Sequence, residues 1–205
     1  EIAILRQEHD PATQVAQFDD LARATHQPFR NLKARLDAEL AGRFRIEPAA
    51  MRPWHYDNPF FQEAPPSARV DPSLFFKSRF KEEIVRMGED FFKDIGLPME
   101  DIVARSDYYE RPGKDQHAFC ITIDRADDVR TLLNVKPTAE WMDTMLHESG
   151  HAVYYKYVDR DLPYNLREAA HIFTTEAIAM LFGALAKNPT WLISYAGVPR
   201  DKVAP

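Results

Sequence analysis

Apolar positions recur at helical spacing along most of the chain. Val15, Phe18, Leu21 and Ala22 mark residues 12–25, and Phe29, Leu32, Leu36 and Leu40 repeat the pattern over 29–41. Pro28 suits a helix start, so two helices are predicted here. Pro48 and Pro53 close this region. Residues 48–74 form a connection rich in Pro and aromatics, including Trp54-His55-Tyr56-Asp57-Asn58-Pro59-Phe60-Phe61. It is too apolar for a disordered linker and is expected to pack against the domain. A helix near 75–95 follows, with Phe76, Phe80, Ile84, Met87 and Phe91 on one stripe and Gly96 and Pro98 as its stop.

Over residues 103–135 the pattern changes. Phe119-Cys120-Ile121-Thr122-Ile123 and Val129 to Val135 are β-prone, with Gly113 and the Asp-rich run Asp124 to Asp128 marking turns. A short antiparallel sheet is predicted. Residues 138–158 return to helix, with Thr138 at the start and Glu140 in the first turn. Pro163 separates this from a further helix at about 166–187, which Asn188-Pro189 ends. The fold class is therefore mainly α with a small antiparallel sheet. The chain divides on this reading into 1–47 (helical), 48–74 (connection), 75–137 (helix and sheet), 138–188 (helix pair) and 189–205 (tail), all within one partial domain.

Composition narrows the classes. The 205 residues are 45% hydrophobic and 28% charged, as in a globular protein, and suffice for one good-sized core. A net charge of −6 with no Lys/Arg block argues against a nucleic-acid partner. No apolar run approaches the roughly 18 residues of a membrane helix. The single cysteine, Cys120, excludes an internal disulfide and any Cys-rich zinc module. The chain opens on Glu1 and ends on Asp201-Lys202-Val203-Ala204-Pro205. It is expected to be a fragment whose partner is the remainder of its own polypeptide, so its compartment is left open.

The sharpest chemical signal is His147-Glu148-Ser149-Gly150-His151 within the 138–158 helix. Two His four residues apart on a helix share one face and can grip one metal. The intervening Glu148 is placed as general base toward a metal-activated water. A catalytic zinc takes three protein ligands, His₂Glu being one such set. Glu176, on the next helix, would come back to the His pair if the two helices are antiparallel neighbours. Gly150 costs roughly 1 kcal/mol relative to Ala within a helix, so it predicts a close approach there.

The other candidates are weaker. His171 points well away from Glu176 at helical spacing and reads as a surface or partly packed residue. His117 could line the cleft, whereas His55 sits among aromatics and reads as structural. Cys120 reads as an ordinary buried thiol. Tyr154 and Tyr155 read as core, although Tyr155 is on the face of the His pair.

From Thr144 to Leu192 the chain resembles the angiotensin-converting enzyme family of gluzincin peptidases. The order His147-Glu148-Ser149-Gly150-His151, Tyr154-Tyr155, Asp161-Leu162-Pro163, Leu166-Arg167-Glu168, Glu176-Ala177-Ile178 carries the likeness, with one extra residue before Glu176. Arg111-Pro112-Gly113-Lys114 with Ala118-Phe119-Cys120 is more similar to the thimet oligopeptidase and oligoendopeptidase F family, and Trp54 to Phe61 is similar to both. The resemblance implies a helical peptidase with its sheet beside a deep cleft. Zn²⁺ would sit on His147, His151 and Glu176, Glu148 would serve as base, and oligopeptides would be the substrates. It also implies that Ala118, Phe119, Cys120, Ile121 and Thr122 bind substrate backbone by strand addition.

Two departures accompany the resemblance. Where the family has an Asp four residues after the third ligand, this chain has Met180. Another acceptor must then orient a zinc-bound imidazole, Asp143 or a backbone carbonyl being the candidates. The chain also ends before the later segment that supplies a Tyr and a His to the family's catalytic site. The competing reading is thus a catalytically incomplete zinc- or peptide-binding module, against which the intact Glu148 argues.

Overall fold

Asp10 sets the first helix. Its carboxylate accepts from the Thr13 N–H at 2.9 Å and Pro11 follows it. In the computed structural model, which describes residues 10–56 and 72–203, this helix is α1 (Pro11–Phe44) and runs through Pro28 without a break. The two predicted helices are one. Proline removes a single backbone bond, and side chains support the turns around it. Thr25 Oγ1 donates to the Leu21 carbonyl at 2.8 Å, and Gln27 Nε2 donates to Asn31 Oδ1 at 2.8 Å. Only Leu36, Leu40 and Ala41 of α1 are buried; Val15, Phe18, Leu21 and Phe29 remain exposed.

The chain forms two compact units, residues 1–69 and 70–205. In the first, 3₁₀ turns at Pro48–Ala50 and Pro53–Tyr56 pack on α1. Tyr56 donates to Asp37 Oδ1 at 2.5 Å, and the His55 ring packs at a tilt against Phe44 and Trp54. The rest of the expected connection, 57–71, lies outside the described residues.

The second unit carries His147, His151 and Glu176. Its next helix, α2 (Lys81–Asp94), starts later than predicted, because Glu83 accepts the Phe80 N–H at 2.7 Å and fixes the start there. Phe80 therefore lies outside the buried stripe and is 76% exposed, while Phe76, in the preceding turn, is fully buried. Gly96, at φ 82°, ends this region as expected. A short helix, α3 (Glu100–Arg105), occupies residues where no helix was predicted. One buried side chain, Ile102, is too little periodicity to reveal it.

β1 (Phe119–Thr122) pairs antiparallel with β2 (Val129–Leu132), Phe119 facing Leu132 and Thr122 facing Val129. Asp124 Oδ1 accepts from the Ala126 and Asp128 N–H groups and closes the hairpin. Helix α4 (Ala139–Lys156) begins where Thr138 caps the Trp141 N–H, close to prediction. Helix α5 (Ile172–Gly183) is shorter than predicted at both ends. His171 Nδ1 caps the Phe173 N–H, and a 3₁₀ turn takes over at Ala184–Lys187.

The tail is structured rather than trailing. Asn188 does not only end a helix; its side chain caps Thr190 and Trp191, and Pro189 opens α6 (Pro189–Ser194). A last short helix, α7 (Arg200–Val203), follows. Trp191, Leu192, Ala196 and Val198 are buried in the same core as Ile84, Phe92, Met142 and Leu146. The larger of these aliphatic and aromatic side chains contribute about 1.5–3 kcal/mol each by burial. The class is thus mainly α with a two-stranded antiparallel sheet. No helix among the described residues is long and apolar enough to cross a membrane.

Candidate metal centre

The centre rests on how closely α4 and α5 pack. A Cβ added at Gly150 would stand 2.9 Å from the Ala179 Cα and 3.1 Å from Phe182 Cδ2. The approach inferred from this glycine is that of another helix backbone. A Cβ at Gly183 would likewise lie 2.6 Å from Asp143 Oδ1.

This packing brings three donors together. His147 and His151 stand one turn apart on α4, their ring centroids 5.0 Å apart. The Glu176 carboxylate straddles them, Oε1 lying 3.5 Å from His147 Nε2 and Oε2 3.3 Å from His151 Nε2. One donor atom from each residue lies within 4.8 Å of the other two. Donors bound at about 2.0–2.2 Å to a tetrahedral ion sit about 3.3–3.6 Å apart. The His₂Glu set and its spacing therefore fit zinc. Burial is uneven: the His side chains are 20% and 15% exposed and the Glu176 side chain 49%.

The electrostatics favour a cation. Burial, then His147, holds His151 below the usual imidazole range, with Glu176 opposing. His151 thus keeps the lone pair that a metal needs. Glu148 is 8% exposed, and burial, reinforced by the Glu176 charge, pushes its carboxyl up to about 7. Burial is the larger cause of both shifts, so the site is partly dry, and Glu148 and Glu176 stand close enough in it to oppose each other's charge.

A cavity of about 320 Å³ opens over the triad, lined by Glu148 and, from β1 and the residue before it, by Ala118, Phe119 and Cys120. The pairing alternation shows which groups of the strand face it. Ile123 N–H donates to the Asp128 carbonyl, so the odd-numbered residues bond to β2. Cys120 and Thr122 then turn their backbone N–H and C=O groups to the opposite edge, which no strand among the described residues covers. The outer edge of β2, by contrast, is covered, Asp107 N–H donating to the Thr131 carbonyl.

The other sequence candidates fall elsewhere. Ile121 lines a separate cavity on the outer face of the hairpin, and Thr122 Oγ1 accepts the Arg125 N–H. His117 is exposed and does not line the triad's cavity. His171 is a helix cap, and Met180 is 60% exposed. Asp143 pairs with Lys187 Nζ at 2.9 Å. Tyr155, Ile172 and Thr175 also line the triad's cavity. Of these only Tyr155 carried a sequence signal, its place on the face of the His pair. Cys120 is an uncharged thiol, pushed up to about 12 by burial and then by Glu148. A larger apolar cavity, about 580 Å³, lies between Val153, Tyr157, Leu162 and Ile178, and none of the three donors lines it.

Among known families, the model of the angiotensin-converting enzyme family (Peptidase M2) matches residues 51–202. No curated protein matches the chain.

Proposed function

We propose, from the premise that the chain belongs to the angiotensin-converting enzyme family of zinc-dependent peptidases, that it hydrolyses peptide bonds of oligopeptides with zinc on His147, His151 and Glu176. The observation that carries this reading is the convergence of three donors within 4.8 Å of one another beside a buried Glu148. When bound, zinc polarises the scissile carbonyl and acidifies a water at the site. Glu148 takes the proton from that water and returns it to the leaving amine. Burial, then the Glu176 charge, raises the Glu148 carboxyl; with a dication held by the three donors it would be drawn back toward the ionised form that accepts a proton.

The free edge of β1 holds the substrate. Backbone groups of Ala118 and Cys120 pair with an extended peptide, which gives affinity with little demand on side chains. Cys120, uncharged and half-buried, adds an apolar wall rather than a nucleophile. The deciding experiment is the Glu148→Gln variant. It should bind about one zinc per chain, as the parent does, and lose peptide hydrolysis. Hydrolysis at the parent rate would remove Glu148 from the reaction. Zinc bound by a parent that cleaves no peptide would instead favour the binding-module reading.

A further inference from the structure

A metal-bound imidazole needs an acceptor on its other nitrogen to fix its tautomer and orientation. His147 turns Nε2 to Glu176, which leaves Nδ1 for that partner. Met180 has no suitable acceptor and is 60% exposed. Helical side chains lean toward the preceding turn, so the His147 ring lies over the turn that carries Asp143.

The geometry around Gly183 completes the picture. The position where a Cβ would stand is 2.6 Å from Asp143 Oδ1 and 3.4 Å from the His147 Cβ. The carboxylate and the base of the imidazole side chain therefore share one hollow, which exists because residue 183 has no side chain. Asp143 Oδ2 is held by Lys187 at 2.9 Å, whereas Oδ1 carries no hydrogen bond among the described residues. The side chain is only 30% exposed, so a bond from Oδ1 would be partly shielded from water.

The Asp143 carboxylate and the His147 ring are neighbours but not hydrogen-bonded here, and we infer that Asp143 is the positioning residue for His147 when zinc is held, its Oδ1 then accepting from Nδ1–H while Lys187 anchors Oδ2 and Gly183 leaves the room. The acceptor then comes from the helix of the His pair instead of from the helix of Glu176. Asp143 touches neither substrate nor metal; it keeps Nε2 aimed at the ion. This inference rests on the zinc reading above.

The test uses the full chain with Zn²⁺ and Co²⁺ as probes. Asp143→Asn keeps the shape and weakens the acceptor. It should bind zinc about 10–100-fold more weakly, in competition with a chromogenic chelator. It should also change the visible spectrum of the cobalt form, with the melting temperature of the metal-free protein nearly unmoved. Gly183→Ala, which fills the hollow, should shift the cobalt spectrum in the same way. Lys187→Gln, which removes only an exposed ion pair, should keep zinc affinity within about twofold. Parent-like zinc affinity and cobalt spectrum in Asp143→Asn would overturn the inference. So would an equal loss in Lys187→Gln, which would make Asp143 a helix clamp. A parent chain that binds no zinc would refute the underlying reading instead, and is told apart by that control.

Discussion

Replacing Gly150 by Ala tests the geometry that creates the centre. The added methyl would stand 2.9 Å from the Ala179 Cα, 3.1 Å from Phe182 Cδ2 and 3.4 Å from the Ala179 nitrogen. Comfortable carbon contacts lie at about 3.5–4.0 Å. Phe182 can rotate, but the Ala179 backbone cannot, so α4 and α5 must part by roughly 0.6–1 Å. Ala in place of a helical Gly gains about 1 kcal/mol, while overpacking costs about 1–3 kcal/mol. The net effect on the metal-free fold is a loss of about 0–2 kcal/mol. The larger effect falls on the metal. Glu176 lies one turn before Ala179 on α5, so the same displacement carries its carboxylate away from His147 and His151. Zinc affinity should fall at least about tenfold, since metal geometry tolerates only about 0.2 Å. Chelator competition and thermal melts with and without zinc read both quantities. Gly42→Ala is the control, because nothing lies within 4 Å of its Cβ position; it should leave zinc binding unchanged. A Gly150→Ala protein that gains stability and keeps parent zinc affinity would refute the packing argument.

Three further outcomes follow from burial in the same unit. Glu148 is raised from 4.5 to about 7, so between those values the folded metal-free protein holds a proton that the unfolded chain has lost. Its contribution is therefore fully present below about pH 4.5 and falls away as pH rises to about 7, by up to about 3 kcal/mol. Urea midpoints of parent and Glu148→Gln at pH 5 and pH 8 check this, and an identical pH dependence in both would contradict it. Trp191→Ala should cost about 3–5 kcal/mol on urea unfolding if the last helices belong to the core; a change below 0.5 kcal/mol, as at an ordinary surface site, would return them to a tail. With its thiol pushed up to about 12, Cys120 should react slowly with a disulfide reagent at pH 8 and rapidly once unfolded; equal rates would contradict the burial.

Much of the second unit is legible because local chemistry and periodicity agree there. Thr138 with Glu140 announces α4, and two β-prone stretches around an Asp-rich turn announce the hairpin. The His pair and Glu176 are legible for the same reason: helical spacing fixes the first two, and helix adjacency delivers the third. What escaped depends on context. Asn188-Pro189 is both an end and a beginning, and only the burial of Trp191 decides. Pro28 looks like a boundary, yet one lost bond does not break a 34-residue helix. Ile172 and Thr175 line the cavity with no motif to mark them, because lining is a property of packing rather than of spacing.

The open edge of β1 has a cost of its own, apart from the binding role proposed for it. An unpaired strand edge recruits any extended chain, including another copy of itself, and is a common starting point for aggregation. Here the strand is four residues long and, among the described residues, joined to one other, with the Asp-rich turn close behind it. Such a short edge offers a visiting peptide a few bonds but gives a growing stack of strands little to build on. The brevity of the sheet is then a safeguard: it lets the chain keep an adhesive surface exposed without becoming a seed.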